Sequence, residues 1–292
     1  MKFRLLALLL CVVIYSQSGY SQSFQNQRTK LTLLNIGFNG IASGVGSLIN
    51  KQGWQTSGQA FWRGFKRGAV GGAVIDLGIR STRLIATQQQ LWLAWPARII
   101  SSTGNAIVYN ASLNQGWLDE LSFNFLAFRL DYHMKTKQFR TRLFPSSLYG
   151  IIRTGGNGRF DLGRTLETGV IYIEGDTFGT LGGEGIATGQ VSTIGMGRSI
   201  PDDNFYDIYA HELVHIMQYE RFNWFNAYLN KTDMKLKEQY KWYKELSRYI
   251  YFDLNGPAIF IAYSAERNRP HNCRLFEQEA TNYGEARYYG CR

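Results

Sequence analysis

The sequence predicts an α+β protein: a glycine-rich helical region, then a sheet rich in antiparallel strands, then a long helix over 203–222 and further C-terminal helices. Three patterns carry this expectation. Gly64, Gly68 and Gly72 repeat every four residues, which puts them in one stripe along a helix. From about residue 121 the periodicity becomes alternating, with Leu126, Phe128, Leu130, Tyr132 and Met134 on one face and Arg129, Asp131 and His133 on the other. Helical spacing then returns over 203–222, where Phe205, Ile208, Leu213, Val214, Ile216 and Met217 leave little of the circumference polar, and Pro201, Asp202, Asp203 and Asn204 offer N-cap chemistry ahead of it.

Taken in order, residues 1–21 form a secretory signal peptide. Lys2 and Arg4 make the basic start, residues 5–15 the apolar stretch, and Gly19 and Ser21 permit cleavage before Gln22. Leu10 precedes Cys11 where a lipoprotein signal carries a small residue, so an exported protein of the periplasm, envelope or extracellular space is expected rather than a lipoprotein. Two cysteines then remain, Cys273 and Cys291, and in an oxidising compartment they are expected to pair. Such a bridge closes a loop of roughly 20 residues and stabilises by about 3 kcal/mol in the chain-entropy model.

With 45% apolar and 15% aromatic residues, the 292-residue chain has the composition of a folded, core-bearing protein. Its formal charge of +10 falls to +8 once Lys2 and Arg4 are removed. The excess reads as dispersed, and there is no Arg-rich run with interleaved aromatics. Nucleic acid is therefore not an expected partner, whereas anionic lipid or cell-surface polymer is compatible with the charge.

Residues 22–117 make up the glycine-rich helical region. Residues 31–50 carry no charge and are long enough to span a bilayer, yet Asn35, Asn39, Ser43 and glycines 37, 40, 44 and 46 make them a poor anchor. Because each glycine costs a helix up to about 1 kcal/mol, the stripe at 64, 68 and 72 implies two closely approaching backbones. A glycine-packed helical hairpin is expected. Soluble packing is the favoured reading, since Asp76 and the shortness of the second apolar run oppose insertion. Contact of residues 31–95 with a membrane surface stays open through the basic residues Arg63, Lys66, Arg67, Arg80 and Arg83 and the tryptophans Trp92 and Trp95. Residues 99–113 read as a further helix, ended by Asn114-Gln115-Gly116.

The alternation over 121–134 reads as one long half-buried strand with its apolar face inward and His133 toward solvent. Residues 148–154 and 159–163, joined by Gly155-Gly156-Asn157-Gly158, read as a hairpin, and 170–174 as another strand. In the glycine- and threonine-rich stretch 175–198, residues 190–196 are either an edge strand able to accept an extended peptide or part of a surface loop. Residues 231–249 read as one charged, aromatic helix with a solvated face, and Asn255-Gly256-Pro257 as a chain break.

Within the helix over 203–222 lies His211-Glu212-Leu213-Val214-His215. Histidines four residues apart share a helix face one turn from each other, the spacing that two ligands of one zinc ion require, and Glu212 then projects beside the metal. On an apolar helix the alternative is three polar groups that each need a separate partner.

The motif resembles the active-site helix of the zincin metallopeptidases. The metzincin branch places a glycine and a third histidine where this chain has Gln218 and Arg221, so that branch is excluded. The segment Phe276-Glu277-Gln278-Glu279-Ala280-Thr281 resembles the gluzincin pattern, with Glu277 as third ligand, Ala280 as the small residue and Thr281 in place of the usual aspartate. Glu279 is a rival ligand and His271 a weaker one. The resemblance implies a zincin-like metallopeptidase domain over 118–292, one Zn²⁺ per chain held by His211, His215 and Glu277, and Glu212 as general base toward a peptide or protein substrate. His271, Tyr283, Tyr288 and Tyr289 are candidates for stabilising the oxyanion. The competing reading is a non-catalytic binding or structural module of the envelope that retains the fold; retention of Glu212 favours the enzyme.

Overall fold

The computed structural model describes residues 24–156, 158–180, 183–266 and 268–284. The expected signal peptide, Cys291, Tyr288 and Tyr289 lie outside the described residues, and so does the pairing expected for Cys273, which is itself buried.

Helices α1 (Phe24–Ile49) and α2 (Ser57–Ser81) form the glycine-packed hairpin. Thr56 starts α2 with a reciprocal cap, its hydroxyl accepting from the Gln59 N–H while the Gln59 carboxamide oxygen accepts from the Thr56 N–H. Only glycine fits along the seam: a Cβ at Gly64 would lie 2.5 Å from the Ser43 carbonyl oxygen, and one at Gly68 would lie 2.4 Å from that of Asn39. After the short α3 (Arg83–Gln88), α4 (Ala94–Ser112) closes on the adjoining face of α2, where a Cβ at Gly78 would meet Ser101 N at 2.5 Å. The polar residues that weaken residues 31–50 as an anchor, Asn35, Asn39 and Ser43, are all buried. Residues 28–49 are long and apolar enough to cross a bilayer by length and composition, and half of that window is buried inside the fold.

A three-stranded antiparallel meander follows: β1 (Glu120–Phe125), β2 (Phe128–His133) and β3 (Gln138–Leu143). The single long strand expected over 121–134 is thus a hairpin, turned at Leu126 and Ala127 with Leu126 at φ +54°. Its faces are also reversed. Arg129 and Asp131 are buried, whereas Phe128 is exposed and Leu130 and Tyr132 are half-buried. Mutual satisfaction makes this possible: Asp131 accepts from Arg129 Nε at 2.8 Å and from Arg142 Nε at 3.1 Å, and the two guanidinium groups lie 4.1 and 4.8 Å from the Tyr251 ring centre. Alternation finds the two faces of a strand but does not say which one is covered. His133 is half-exposed beside Glu120.

Residues 148–154, read as a strand, belong to helix α5 (Pro145–Gly155), which Pro145 opens at its first position. A short apolar run has no decisive period, and that accounts for the misreading. Then come β4 (Gly158–Phe160), α6 (Leu162–Thr168) and β5 (Ile171–Gly175), the small hairpin β6 (Phe178–Thr180) and β7 (Gly183–Gly185), and the hairpin β8 (Ala187–Gln190) and β9 (Thr193–Gly197). The second sheet is mixed, in the order β4-β5-β9-β8, with β5 and β9 parallel and the outer pairs antiparallel. The edge strand expected over 190–196 is corrected accordingly. Residues 193–197 are interior and fully buried, and the edge is β8, with the turn at Val191 (φ +57°) between them.

The C-terminal part is helical: α7 (Asp202–Arg221), α8 (Trp224–Tyr228), α9 (Asn230–Gln239), α10 (Lys241–Tyr249), α11 (Asn255–Ser264) and α12 (Leu275–Gly284). The helix expected over 231–249 is two helices, broken where Tyr240 is extended. Asn255-Gly256-Pro257 starts a helix rather than ending structure, since proline is tolerated in a first turn. One buried apolar cluster runs through Leu31, Ile75 and Val108 of the helical region to Val214, Met217, Phe276 and Tyr283, so packing crosses residue 117.

Candidate metal centre

The local period of α7 places His211 and His215 on one face, and α12 crosses that face closely enough to add Glu277. A Cβ at Gly284, near the end of α12, would lie 2.7 Å from His211 N, so glycine there permits the approach. His211 Nε2 and His215 Nε2 are 3.2 Å apart, and each is 3.4 Å from Glu277 Oε2. These three residues form the cluster able to hold a metal ion among the described residues. The triangle suits zinc. Ligands about 2.0–2.1 Å from a tetrahedral ion are separated by about 3.3–3.4 Å, the edge of that tetrahedron.

Electrostatics agree with a cation at this point. Burial would pull the His215 imidazolium down, but the Glu277 carboxylate outweighs it and lifts the pKa to about 10. Burial likewise opposes ionisation of Glu277, yet His215 and His211 hold its carboxyl far below the usual range. Positive charge belongs between the three groups, as a proton or as a metal ion that displaces it.

The imidazole of His215 is oriented by Gln218. The Gln218 amide nitrogen donates to Phe276 O at 2.8 Å and to Glu279 Oε2 at 2.9 Å, which turns its oxygen toward His215 Nδ1 at 2.8 Å. Nδ1 therefore carries the hydrogen and Nε2 presents its lone pair to the cluster. Glu279, the rival ligand, is fully engaged elsewhere: Oε1 accepts from Asn35 at 2.7 Å and Arg221 at 2.8 Å, and Oε2 from Gln218. Its place is in the support of the site. Beyond it, Asn35 also donates to Asp76, which accepts from Tyr283 and pairs with Arg80. The N-terminal hairpin thus joins the hydrogen-bond chain that ends on a ligand imidazole. Gln218 is the residue that sequence reasoning used only to exclude the metzincins; its position one turn after His215 was the available signal.

His271 lies outside the trio, its Nε2 3.3 Å from the other Glu277 oxygen and its side chain 54% exposed. Tyr283 points to Asp76 rather than to the ligands, and is removed as an oxyanion candidate. Tyr263, not anticipated, lines the cavity beside Glu277, and burial followed by that carboxylate raises its hydroxyl pKa. Among the described residues His211 Nδ1 has no hydrogen-bond partner. Thr281 therefore does not reproduce the orienting contact that the usual aspartate of the gluzincin pattern implies.

His211, Glu212, His215 and Glu277 line one cavity of about 460 Å³, whose walls are mostly apolar and include Tyr149, Val191, Ile259 and Phe260. Edge strand β8 forms one side, lying so close on α7 that a Cβ at Gly189 would be 2.2 Å from the Glu212 carbonyl oxygen. Comparison with family models, with curated proteins and with solved structures found no match to this chain.

Proposed function

We propose that this chain is an exported zinc-dependent metallopeptidase of zincin-like fold, with His211, His215 and Glu277 as the ligands of one Zn²⁺ and Glu212 as general base. The observation that carries the reading is the triangle of ligand atoms at tetrahedral edge spacing, on the wall of an apolar cavity that Glu212 also lines. Three protein ligands leave one position of a tetrahedral ion open, which separates a catalytic from a structural site. When bound, such an ion supplies Lewis acidity, lowering the pKa of water toward about 7 and polarising a carbonyl. Glu212, next to His211 in the chain, accepts the proton of the attacking water and delivers it to the leaving amine. Gln218 holds His215 in the tautomer that leaves Nε2 unprotonated. The apolar walls favour a substrate side chain of like character, and edge strand β8, which lines the cavity, offers backbone hydrogen bonds to an extended peptide.

Glu212→Gln tests the reading, because it keeps the shape of the side chain and cannot take the proton. Zinc content measured by elemental analysis should stay near one per chain, while hydrolysis of a mixed-peptide library should fall by about 10² to 10⁴. Equal activity of the two proteins would refute the assignment of Glu212, and absence of zinc from the unaltered protein would refute the site.

A further inference from the structure

The charge of the chain is segregated rather than dispersed. Residues 22–117 hold nine Lys and Arg against the single acid Asp76, whereas residues 118–292 hold 21 basic and 21 acidic residues. The whole excess therefore belongs to the helical region, where one of the nine, Arg98, is buried against Glu220.

Helix α2 presents the open face of that region. Its glycines at 64, 68 and 72 face α1, and those at 71 and 78 face α4. On the side away from both contacts, the exposed positions after the first turn are Gln59, Trp62, Lys66, Val70, Ala73, Leu77 and Arg80. At about 100° per residue they fall within an arc of roughly 80°. Trp62 is 57% exposed, Val70 46% and Leu77 56%, so the face is apolar with cations set into it. Leu33 on α1 and Leu84, Trp92 and Ile99 beyond α2 are exposed as well, as are Lys30 and Arg83.

We propose that this face of α2 docks flat on an anionic lipid surface. Apolar side chains, tryptophan and lysine or arginine along one helix face match the apolar-polar boundary of a bilayer, and the segregated positive charge matches its headgroups. Other occupants fit less well. A second copy would set Lys66 and the flanking Lys30 against their own like charges. Nucleic acid would leave Trp62, Val70 and Leu77 without a complementary surface. Transmembrane insertion would tear α2 from the glycine seams and bring Asp76, buried and hydrogen-bonded to Tyr283, into hydrocarbon. Asp76 is buried in the network behind the metal centre, and its neighbour Leu77, about 100° further round the helix, is exposed on the proposed lipid face.

The test is co-sedimentation of the chain from residue 22 onward with vesicles of phosphatidylcholine alone, or of phosphatidylcholine with phosphatidylglycerol. Binding is expected to the anionic vesicles only and to weaken with added salt. The triple variant Trp62→Ser, Val70→Ser and Leu77→Ser should bind at least about ten-fold more weakly, and Lys66→Gln about five-fold more weakly. All four positions are exposed, so circular dichroism melting should match the unaltered protein. Should one variant melt early, the other still decides. Absence of binding to anionic vesicles overturns the proposal, as does equal binding to neutral ones or binding unchanged in both variants. A preference for duplex DNA over the vesicles would assign the face to nucleic acid instead.

Discussion

Asn35 donates its amide to Glu279 at 2.7 Å across 244 residues of sequence, joining the first helix of the protein to the helix that carries Glu277. Through Glu279 and Gln218 the contact reaches His215 Nδ1. The N-terminal hairpin is by this path part of the support of the candidate metal centre.

Glu277→Ala should abolish zinc retention, since two protein ligands seldom hold the ion. Glu279→Gln should retain zinc with affinity lowered by about 10- to 100-fold, because it disturbs the orientation of Gln218 without removing a ligand. Titration against a chelator separates the two effects, and the reverse ranking would move the ligand to Glu279.

Asn35→Leu should weaken zinc binding although residue 35 is far from the ligands in sequence. Glu279 and Asp76 each lose a donor, and a buried group left unsatisfied costs about 1–3 kcal/mol. A lowered melting temperature with zinc affinity unchanged would show that the network stabilises the fold alone.

Gly189→Ala should impair hydrolysis while zinc is kept. Its Cβ would lie 2.2 Å from the Glu212 carbonyl oxygen, so β8 must move off α7 and the cavity wall shifts. Kinetics and elemental analysis of this variant, run together, distinguish the two properties. Unchanged turnover would place β8 outside the substrate path.

Stability should fall on acidification through Asp131. Burial raises its pKa, but Arg129 and then Arg142 outweigh that and hold it below the usual carboxylate range. A carboxylate depressed in the folded state contributes stability above its unfolded pKa of about 4, and that contribution is lost as pH falls through the lower folded value. Asp131→Asn should be less stable at pH 7, because two guanidinium groups lose their counter-charge, and its melting temperature should depend less on pH below about 4. Parallel acid limbs for the two proteins would remove Asp131 from this role.

The sequence by itself determined the parts of this protein that depend on local period. His211 and His215 share a helix face because they are four residues apart, and the glycine stripe at 64, 68 and 72 demanded a closely packed partner helix; both are local properties of one chain segment. Tertiary structure alone decided the rest. Glu277 and Glu279 lie two residues apart on one helix, and their roles separate only once α12 is set against α7 and α1. One carboxylate then faces two imidazoles while the other is enclosed by Asn35, Arg221 and Gln218. The buried face of β2 was equally hidden in the sequence, because Arg129 and Asp131 become core residues only when Arg142 and Tyr251 arrive from other elements to satisfy them. Period is written in neighbouring residues; the pairing of buried charges depends on partners distant in the chain, which only folding brings into contact.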